Sequence, residues 1–200
     1  MNTTKPDLIT MRQENLPLDA LEKNLEANIE ARIASRLEPT GTKWQSIAIT
    51  NCTSSAHTLA DLIGEIDFGF YRQHSLIAGS GLSVDLFGGS TPDIVIHSLA
   101  SKQNRIIIEV KKNSAFANKG RHGSQLLRYF FYLLATAEQK PKGKQDIYRA
   151  VLLAAPSSWF ESNSREGAEL WRQFLKDYGP IASTFHIALG EIRTDDLMAD

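Results

Sequence analysis

The chain contains a single cysteine, Cys52. One cysteine excludes an internal disulfide framework and a cysteine-rich zinc site, and it suits a reducing compartment. No apolar run approaches the length of a membrane span, and the polar N-terminus lacks the hydrophobic stretch of a signal peptide. We therefore expect a cytoplasmic protein that has no membrane association.

Other sequence signatures are missing as well. The five histidines show no H-x-x-x-H spacing, which argues against a zinc hydrolase. The chain has no glycine-rich phosphate loop, no Ser-His-Asp signature and no internal repeat. The net charge is −1, so the whole chain lacks the basic character typical of nucleic-acid-binding proteins. With 200 residues, 42% of them hydrophobic, it has the composition of one globular domain with extensions.

Two neighbouring β-rich runs each carry one carboxylate. Ile94–Ile96 and Ile106–Ile108 are β-branched and bounded by polar turn residues, so both are predicted to be strands. Asp93 precedes the first run, and Glu109 follows the second. Both acids lie symmetrically about Ser101, in the middle of the intervening polar segment. Because paired positions of a hairpin have a constant index sum, this symmetry predicts that the two carboxylates face each other.

A lysine accompanies the second carboxylate. Glu109 and Lys111 are two residues apart, so a strand directs both to one face and Val110 to the other. Two close carboxylates repel each other unless a cation lies between them, and Mg²⁺ prefers such oxygen ligands. The ion can polarise a phosphoryl group, while Lys111 can hold the attacking water or neutralise developing charge. The pattern predicts a metal-dependent phosphodiester-cleaving site. The alternative is a buried hairpin with an ordinary ion pair.

These residues resemble a known motif. Pro92-Asp93, followed by Glu109-Val110-Lys111, is similar to the core of the PD-(D/E)XK nuclease superfamily. The resemblance implies that the two carboxylates and the Val110 carbonyl bind Mg²⁺, with Mn²⁺ expected to substitute, and that Lys111 assists the attacking water.

A second match follows on the next predicted helix. Gln125 and Tyr129 form a Q-x-x-x-Y pair, which resembles the additional motif of RecB-like nucleases and of type I restriction motor subunits. Positions four apart lie on one helix face, so both side chains can reach the same site. We expect them to position the substrate or the active-site groups; the alternative is a helix start with an amphipathic aromatic residue. The resemblance covers roughly residues 57–155, judged by the spacing of its motifs.

The resembled family often has a further acidic ligand on a helix before the first core strand. Asp61 and Glu65 are the candidates here, because they lie on the polar face of a helix expected over about 56–66. We expect one of them to be functional. The alternative for each is a solvated acidic helix face.

The predicted elements agree with the resembled fold. We expect an α/β protein with a mixed central β-sheet flanked by helices, in the restriction-endonuclease-like order α-β-β-β-α-β. An amphipathic helix over about 19–37 belongs to an N-terminal extension, residues 1–53, and the nuclease-like domain occupies 54–200. The sequence leaves open whether that helix covers the sheet or pairs with another protomer. The other elements are strands at about 70–78, 148–155 and 184–189, and helices at about 123–138 and 165–177.

Basic residues are concentrated around the motifs. Between Lys102 and Arg128 the only acid is Glu109. A local basic patch can bind phosphates even when the chain is near neutral. The alternative is a solvated lysine-rich loop. We expect DNA contacts from four residues of this patch, namely Lys112, Lys119, Arg121 and Arg128.

The expected function is that of an Mg²⁺-dependent nuclease that hydrolyses DNA in defence, repair or mobile-element processing. Metal–phosphate chemistry does not require deoxyribose, so RNA stays an alternative substrate. The chain has no recognisable helicase or methyltransferase segment, and the sequence leaves open whether it acts alone, as a homo-oligomer or with a separate protein partner. The alternative function is a catalytically inactive nuclease-fold protein that binds nucleic acid or a protein partner.

Overall fold

The computed structural model describes residues 18–38, 41–76, 90–112, 125–136, 148–164 and 166–198. The strands are β1 (Phe68–Arg72), β2 (Ile94–Ser98), β3 (Asn104–Val110), β4 (Arg149–Ala155) and β5 (Ile187–Arg193). The helices are α1 (Leu18–Arg36), α2 (Leu59–Ile63), α3 (Gln125–Ala135), α4 (Ser157–Phe160), α5 (Glu166–Thr184) and α6 (Asp195–Met198), with a 3₁₀ turn at Lys43–Ser46. None of the helices in these segments is long and apolar enough to cross a membrane.

The five strands form one mixed sheet. They lie side by side in chain order, from β1 to β5. The β1–β2 and β2–β3 pairs are antiparallel, whereas β3–β4 and β4–β5 are parallel. Helices α3 and α5 lie in the two parallel connections, as a crossover between parallel strands requires. The predicted α/β class and mixed central sheet are therefore confirmed.

The β2–β3 hairpin has the predicted register. Ile94 pairs with Ile108, and Ile96 pairs with Ile106. The register shifts only after Ile96, toward the turn, where the pairing becomes irregular. Extending the regular part of the hairpin by one residue places Asp93 opposite Glu109. The two motif carboxylates thus lie at the end of the hairpin away from its turn.

Alternate residues of each strand face opposite sides of the sheet, and each side has its own hydrophobic cluster. Ile106 and Ile108 of β3 belong to a cluster that includes Ile33 of α1. Ile107, between them, belongs to the cluster on the other side, which includes Trp171 of α5. Helices therefore cover both faces of the sheet, and β4 is buried along its whole length between them.

Helix α1 packs on the sheet. Ile29, Ile33 and Leu37 are buried, and they share one cluster with apolar residues of β2, β3 and β4. The four-residue spacing of these side chains produces the apolar stripe that the sequence indicates. Of the two roles left open by the sequence, the structure shows the first, in which the helix covers the sheet. The division into residues 1–53 and 54–200 stays a prediction, but both parts contribute to this core.

Helix α2 is shorter than the helix predicted over 56–66. Its N-cap is Thr58, whose hydroxyl accepts the Asp61 N–H while the Asp61 carboxylate accepts the Thr58 N–H. This capping box fixes the start of the helix. Gly64 ends it with φ +66, in the left-handed region that favours glycine.

Strand β1 also differs from its prediction. It runs from Phe68 to Arg72, whereas the sequence predicts a strand over 70–78. Gln73 has φ +48, and this left-handed backbone conformation ends the strand. Residues 77–78 of the predicted strand lie outside the described residues.

Near the C-terminus, α5 continues through Pro180 to Thr184, beyond the predicted end at 177. Hydroxyl groups near its end bond back to the helix, since Ser183 donates to the Gly179 carbonyl and Thr184 donates to the Pro180 carbonyl. Because the helix is longer, β5 starts later than predicted and occupies Ile187–Arg193.

Candidate functional site

Asp93 links the ends of three strands. One carboxylate oxygen, Oδ2, accepts the Val110 N–H at 2.7 Å, and Oδ1 accepts Gln73 Nε2 at 2.7 Å. Its carbonyl accepts the Gln73 N–H at 3.0 Å. Partial burial raises the pKa of Asp93, although the Val110 hydrogen bond and the Lys111 charge oppose the shift. The carboxylate is thus held in place at the open end of the hairpin.

Glu109 is the centre of a buried hydrogen-bond network. Its side chain accepts Lys111 Nζ at 2.7 Å and Gln125 Nε2 at 2.9 Å on Oε1, and the Tyr129 hydroxyl at 2.8 Å on Oε2. The residue is 3% exposed, and this burial raises its pKa to about 7. Lys111 opposes the shift, while the nearby Asp93 charge adds to it. Glu109 therefore changes charge near neutral pH.

The Q-x-x-x-Y pair reaches this carboxylate from helix α3. Gln125 and Tyr129 also contact each other, since Gln125 Nε2 donates to the Tyr129 hydroxyl at 2.6 Å. Tyr129 is fully buried, and burial together with the Glu109 charge raises its pKa well above 10. It therefore remains a neutral hydroxyl donor. The structure brings both residues to Glu109, as their four-residue spacing predicts, and their catalytic role stays a prediction.

Lys111 lies on the same face of the sheet as Glu109. It is 8% exposed, and its ammonium forms the 2.7 Å ion pair with the Glu109 carboxylate. Burial is the largest single influence on the pKa of Lys111 and lowers it, but the charge and hydrogen bond of Glu109, together with the charges of Glu26 and Asp93, outweigh it and the pKa is raised. Lys111 is therefore a cation, whereas Val110 packs into the opposite hydrophobic cluster. The alternation predicted for these three residues is confirmed.

Two of the four predicted phosphate-contacting residues lie near the site in the described segments. Lys112 follows the motif directly, and its N–H donates to Glu26 Oε1 at 3.0 Å. Arg128 is half-buried on α3, one residue before Tyr129. Lys119 and Arg121 lie outside the described residues.

The prediction that Asp61 or Glu65 supplies the helix ligand is not supported by the geometry. Asp61 Oδ2 accepts the N–H groups of His57 and Thr58, both at 2.8 Å, and these bonds lower its pKa. Its carboxylate is therefore engaged in capping α2. Glu65 lies just beyond the end of this helix and is exposed.

Helix α2 also lies at the wrong end of the sheet for such a ligand. Its Leu62 carbonyl accepts the N–H of Tyr148, the residue before β4. Glu109 pairs with Leu153, near the other end of β4. At about 3.3 Å per residue, the two positions are roughly 16 Å apart along the strand.

The acids that adjoin the site come from α1. Glu30 is 5% exposed, and its Oε2 accepts Gln73 Nε2 at 3.1 Å while its Oε1 accepts Arg72 Nε at 2.7 Å. Because Gln73 also donates to Asp93, one amide group connects Glu30 to the motif carboxylate. Glu26, one turn earlier on α1, lies beside the site through its bond to the Lys112 backbone.

Glu30, Glu26 and Gln73 are residues of this site that the motif pattern does not predict. A signal for the two acids does exist, since each directly follows an apolar residue of the α1 stripe, Leu25 or Ile29. Acids that border an apolar stripe lie at the edge of a packed surface, where they can reach a neighbouring element. No local pattern marks Gln73.

The donor set fits a divalent cation in chemical terms. Asp93, Glu109 and Glu30 offer carboxylate oxygens, the ligands that Mg²⁺ and Mn²⁺ prefer. Among the residues that the structure describes, no three His, Cys, Asp or Glu side chains are already arranged around a metal position. Nitrogen donors lie against two of these carboxylates, Lys111 Nζ against Glu109 and Gln73 Nε2 against Asp93. A cation would enter by replacing such donors.

Comparison with protein-family models, with curated proteins and with solved structures finds no match to this chain. The functional interpretation therefore depends on the geometry of the site and on the motif residues.

We expect Tyr129→Phe to move the pH dependence of Mn²⁺ binding toward higher pH. The Tyr129 hydroxyl lowers the pKa of Glu109, so removing it raises that pKa further above about 7. A metal ligand must be deprotonated, and binding is therefore lost as pH falls through this pKa. Mn²⁺ titrations over a pH series should show the midpoint displaced by about 0.5 to 1 unit.

Tyr132→Phe on the same helix is the matched control. Tyr132 is also buried, but its hydroxyl accepts Asn104 Nδ2 and does not contact Glu109. Its removal should leave the midpoint unchanged. Equal midpoints in all three proteins would show that Tyr129 does not tune Glu109.

Proposed function

We propose that this chain is a divalent-metal-dependent nuclease of the PD-(D/E)XK kind, which hydrolyses phosphodiester bonds of DNA. The observation that best supports the proposal is the convergence of Lys111, Gln125 and Tyr129 on the Glu109 carboxylate. If Glu109-Val110-Lys111 matched the motif only by chance, we would not expect Gln125 and Tyr129, on a later helix, to contact the Glu109 carboxylate as well.

Four groups would hold the metal ion. They are the carboxylates of Asp93, Glu109 and Glu30 and, by the family resemblance, the carbonyl of Val110. The ion is Mg²⁺, with Mn²⁺ able to replace it, and when bound it polarises the phosphoryl oxygen and neutralises negative charge. In this proposal Glu30 has the role of the additional acidic ligand that the family resemblance predicts for Asp61 or Glu65.

The remaining polar residues each have a task in this proposal. The Lys111 ammonium orients the attacking water and neutralises charge that develops on the phosphate. Gln125 and Tyr129 hold one oxygen each of Glu109, which fixes the direction in which this carboxylate points. We infer that their contribution is positional, since both donate hydrogen bonds to a motif residue.

DNA would approach along the basic side of the site. Lys112 follows the end of β3 and Arg128 lies on α3. Lys119 and Arg121 belong to the segment that connects these two elements. Lysine and arginine bind phosphates by charge, without reading base sequence. RNA stays an alternative substrate on the same grounds.

We expect Glu30→Gln to weaken Mn²⁺ binding by about tenfold, because it removes an anionic oxygen that borders Asp93. Cleavage at a fixed, sub-saturating Mn²⁺ concentration should fall in parallel. Glu65→Gln is the control, since Glu65 is exposed near the opposite end of the sheet. Loss of Mn²⁺ affinity in Glu65→Gln with normal affinity in Glu30→Gln would reverse this assignment.

The second candidate function is a catalytically inactive nuclease-fold protein that binds nucleic acid or a protein partner. One observation favours it, namely that nitrogen donors already satisfy the Asp93 and Glu109 carboxylates. A cleavage assay on linear and circular DNA with Mg²⁺, Mn²⁺ or a chelator distinguishes the two functions. Cleavage that requires the metal supports the nuclease, whereas retention of DNA without cleavage supports the binding protein.

A further inference from the structure

Gln73 occupies an unusual position beside the site. It directly follows β1 and has φ +48, a left-handed conformation that non-glycine residues adopt infrequently. The conformation is held because its N–H donates to the Asp93 carbonyl at 3.0 Å. Backbone conformations of this kind persist where the surroundings enforce them, often at functional sites.

The amide group of Gln73 lies between two carboxylates. Its Nε2 donates to Asp93 Oδ1 at 2.7 Å and to Glu30 Oε2 at 3.1 Å. The other oxygen of each acid has a separate partner, the Val110 N–H for Asp93 and Arg72 Nε for Glu30. A neutral NH₂ group therefore occupies the place where a cation would bridge the two acids.

The Gln73 side chain can change from a hydrogen-bond donor to a metal ligand without any movement of the backbone. Its nitrogen and oxygen are related by a half-turn of the terminal side-chain torsion, which has a broad energy profile. With the nitrogen inward, the group donates hydrogen bonds to the carboxylates and reduces their repulsion. With the oxygen inward, it presents a neutral oxygen of the type that divalent cations accept from asparagine and glutamine.

We propose that Gln73 is a switchable ligand, which bridges Asp93 and Glu30 through its NH₂ group without metal and turns its carbonyl oxygen to the cation when one binds. This inference depends on the proposed metal site. It goes beyond that site because it adds a neutral ligand that lies outside the PD-(D/E)XK motif residues, and it explains how the carboxylates remain close together before the metal arrives.

Two substitutions test the proposal with Mn²⁺ alone as the probe, by calorimetry, and with thermal melting in chelator. Gln73→Met keeps the length of the side chain but removes both amide roles. Its Mn²⁺ dissociation constant should rise about tenfold, and its melting temperature in chelator should fall by about 2–4 °C. Gln73→Glu restores an oxygen ligand and adds a charge, so it should bind Mn²⁺ about tenfold tighter than wild type yet melt lower in chelator.

The opposite changes in Mn²⁺ affinity identify the role of Gln73. If the amide only blocked the metal position, both substitutions would tighten binding; if it were only structural, both would lower the melting temperature at unchanged affinity. Either pattern would overturn the proposal while leaving the metal site intact. A wild-type protein without Mn²⁺ affinity would overturn the proposed function and this inference together. Gln45→Met, at an exposed position in the 3₁₀ turn, controls for the substitution itself.

Discussion

The combined substitution Asp93→Asn and Glu109→Gln is expected to reduce metal-dependent DNA cleavage by at least about 10³-fold, because metal-ion stabilisation of the transition state contributes several kcal/mol. Both changes preserve side-chain shape, and the amides can still form hydrogen bonds. The measurement is the initial rate of plasmid cleavage in Mn²⁺, with circular dichroism to establish that the variant is folded.

Glu191→Gln is the matched control for this experiment. Glu191 is as buried as Glu109, and it lies in the same row across the sheet, since both residues pair with Leu153. Its carboxylate accepts hydrogen bonds from Asn51 and Trp171, outside the candidate site. We expect this variant to cleave at nearly the wild-type rate. Wild-type cleavage by the Asp93/Glu109 double variant would refute the site assignment.

Replacing Lys111 by Met should lower the cleavage rate by about 10²–10³-fold, the effect typical of losing one group that stabilises transition-state charge. Mn²⁺ binding should be retained at alkaline pH, because the carboxylates remain and the ammonium no longer competes for Glu109 Oε1. Single-turnover cleavage at saturating Mn²⁺, together with calorimetry, separates the two quantities.

Lys176→Met provides the comparison for Lys111. Lys176 is an exposed lysine on α5, and its loss should change neither cleavage nor Mn²⁺ binding. Should Lys111→Met lose its Mn²⁺ affinity and its cleavage together, the lysine would be required to assemble the metal site, and its proposed action on water and phosphate would be unsupported.

The hairpin could be predicted from the sequence because its information is local. β-Branched runs mark the strands, and the position of the polar turn fixes which residues pair. The regular pairs around Ile94 and Ile108 follow that register. Side-chain alternation then places Lys111 beside Glu109, and helical spacing places Gln125 and Tyr129 on one face. Each of these inferences needs only the periodicity of one helix or strand, or the position of the turn between two neighbouring strands.

The contribution of α1 could not be predicted in the same way. Its apolar stripe shows that the helix packs against something, but the stripe does not specify which end of the sheet meets Glu30. Asp61 lies on the polar face of a predicted helix, as an acidic metal ligand would, so the helical pattern alone does not distinguish the two. The capping box formed with Thr58 is a local feature that already engages the Asp61 carboxylate, whereas the position of α2 along β4, which separates Asp61 from the motif carboxylates, is a tertiary fact.

Gln73 shows a further limit of sequence analysis. The sequence pattern predicts that β1 continues through Gln73, because no nearby residue indicates a left-handed backbone conformation. The conformation depends on hydrogen bonds to Asp93, which is distant in sequence and adjacent in the sheet. The backbone conformation of such a residue is set by its tertiary contacts.

The most direct test of the central claim is to locate Mn²⁺ by anomalous scattering in crystals of the wild-type protein soaked with the ion. We predict an anomalous peak within coordination distance of carboxylate oxygens from both Asp93 and Glu109. A peak that contacts neither residue, or no peak there at Mn²⁺ concentrations that support cleavage in solution, would contradict the assignment of a metal-dependent active site to this hairpin.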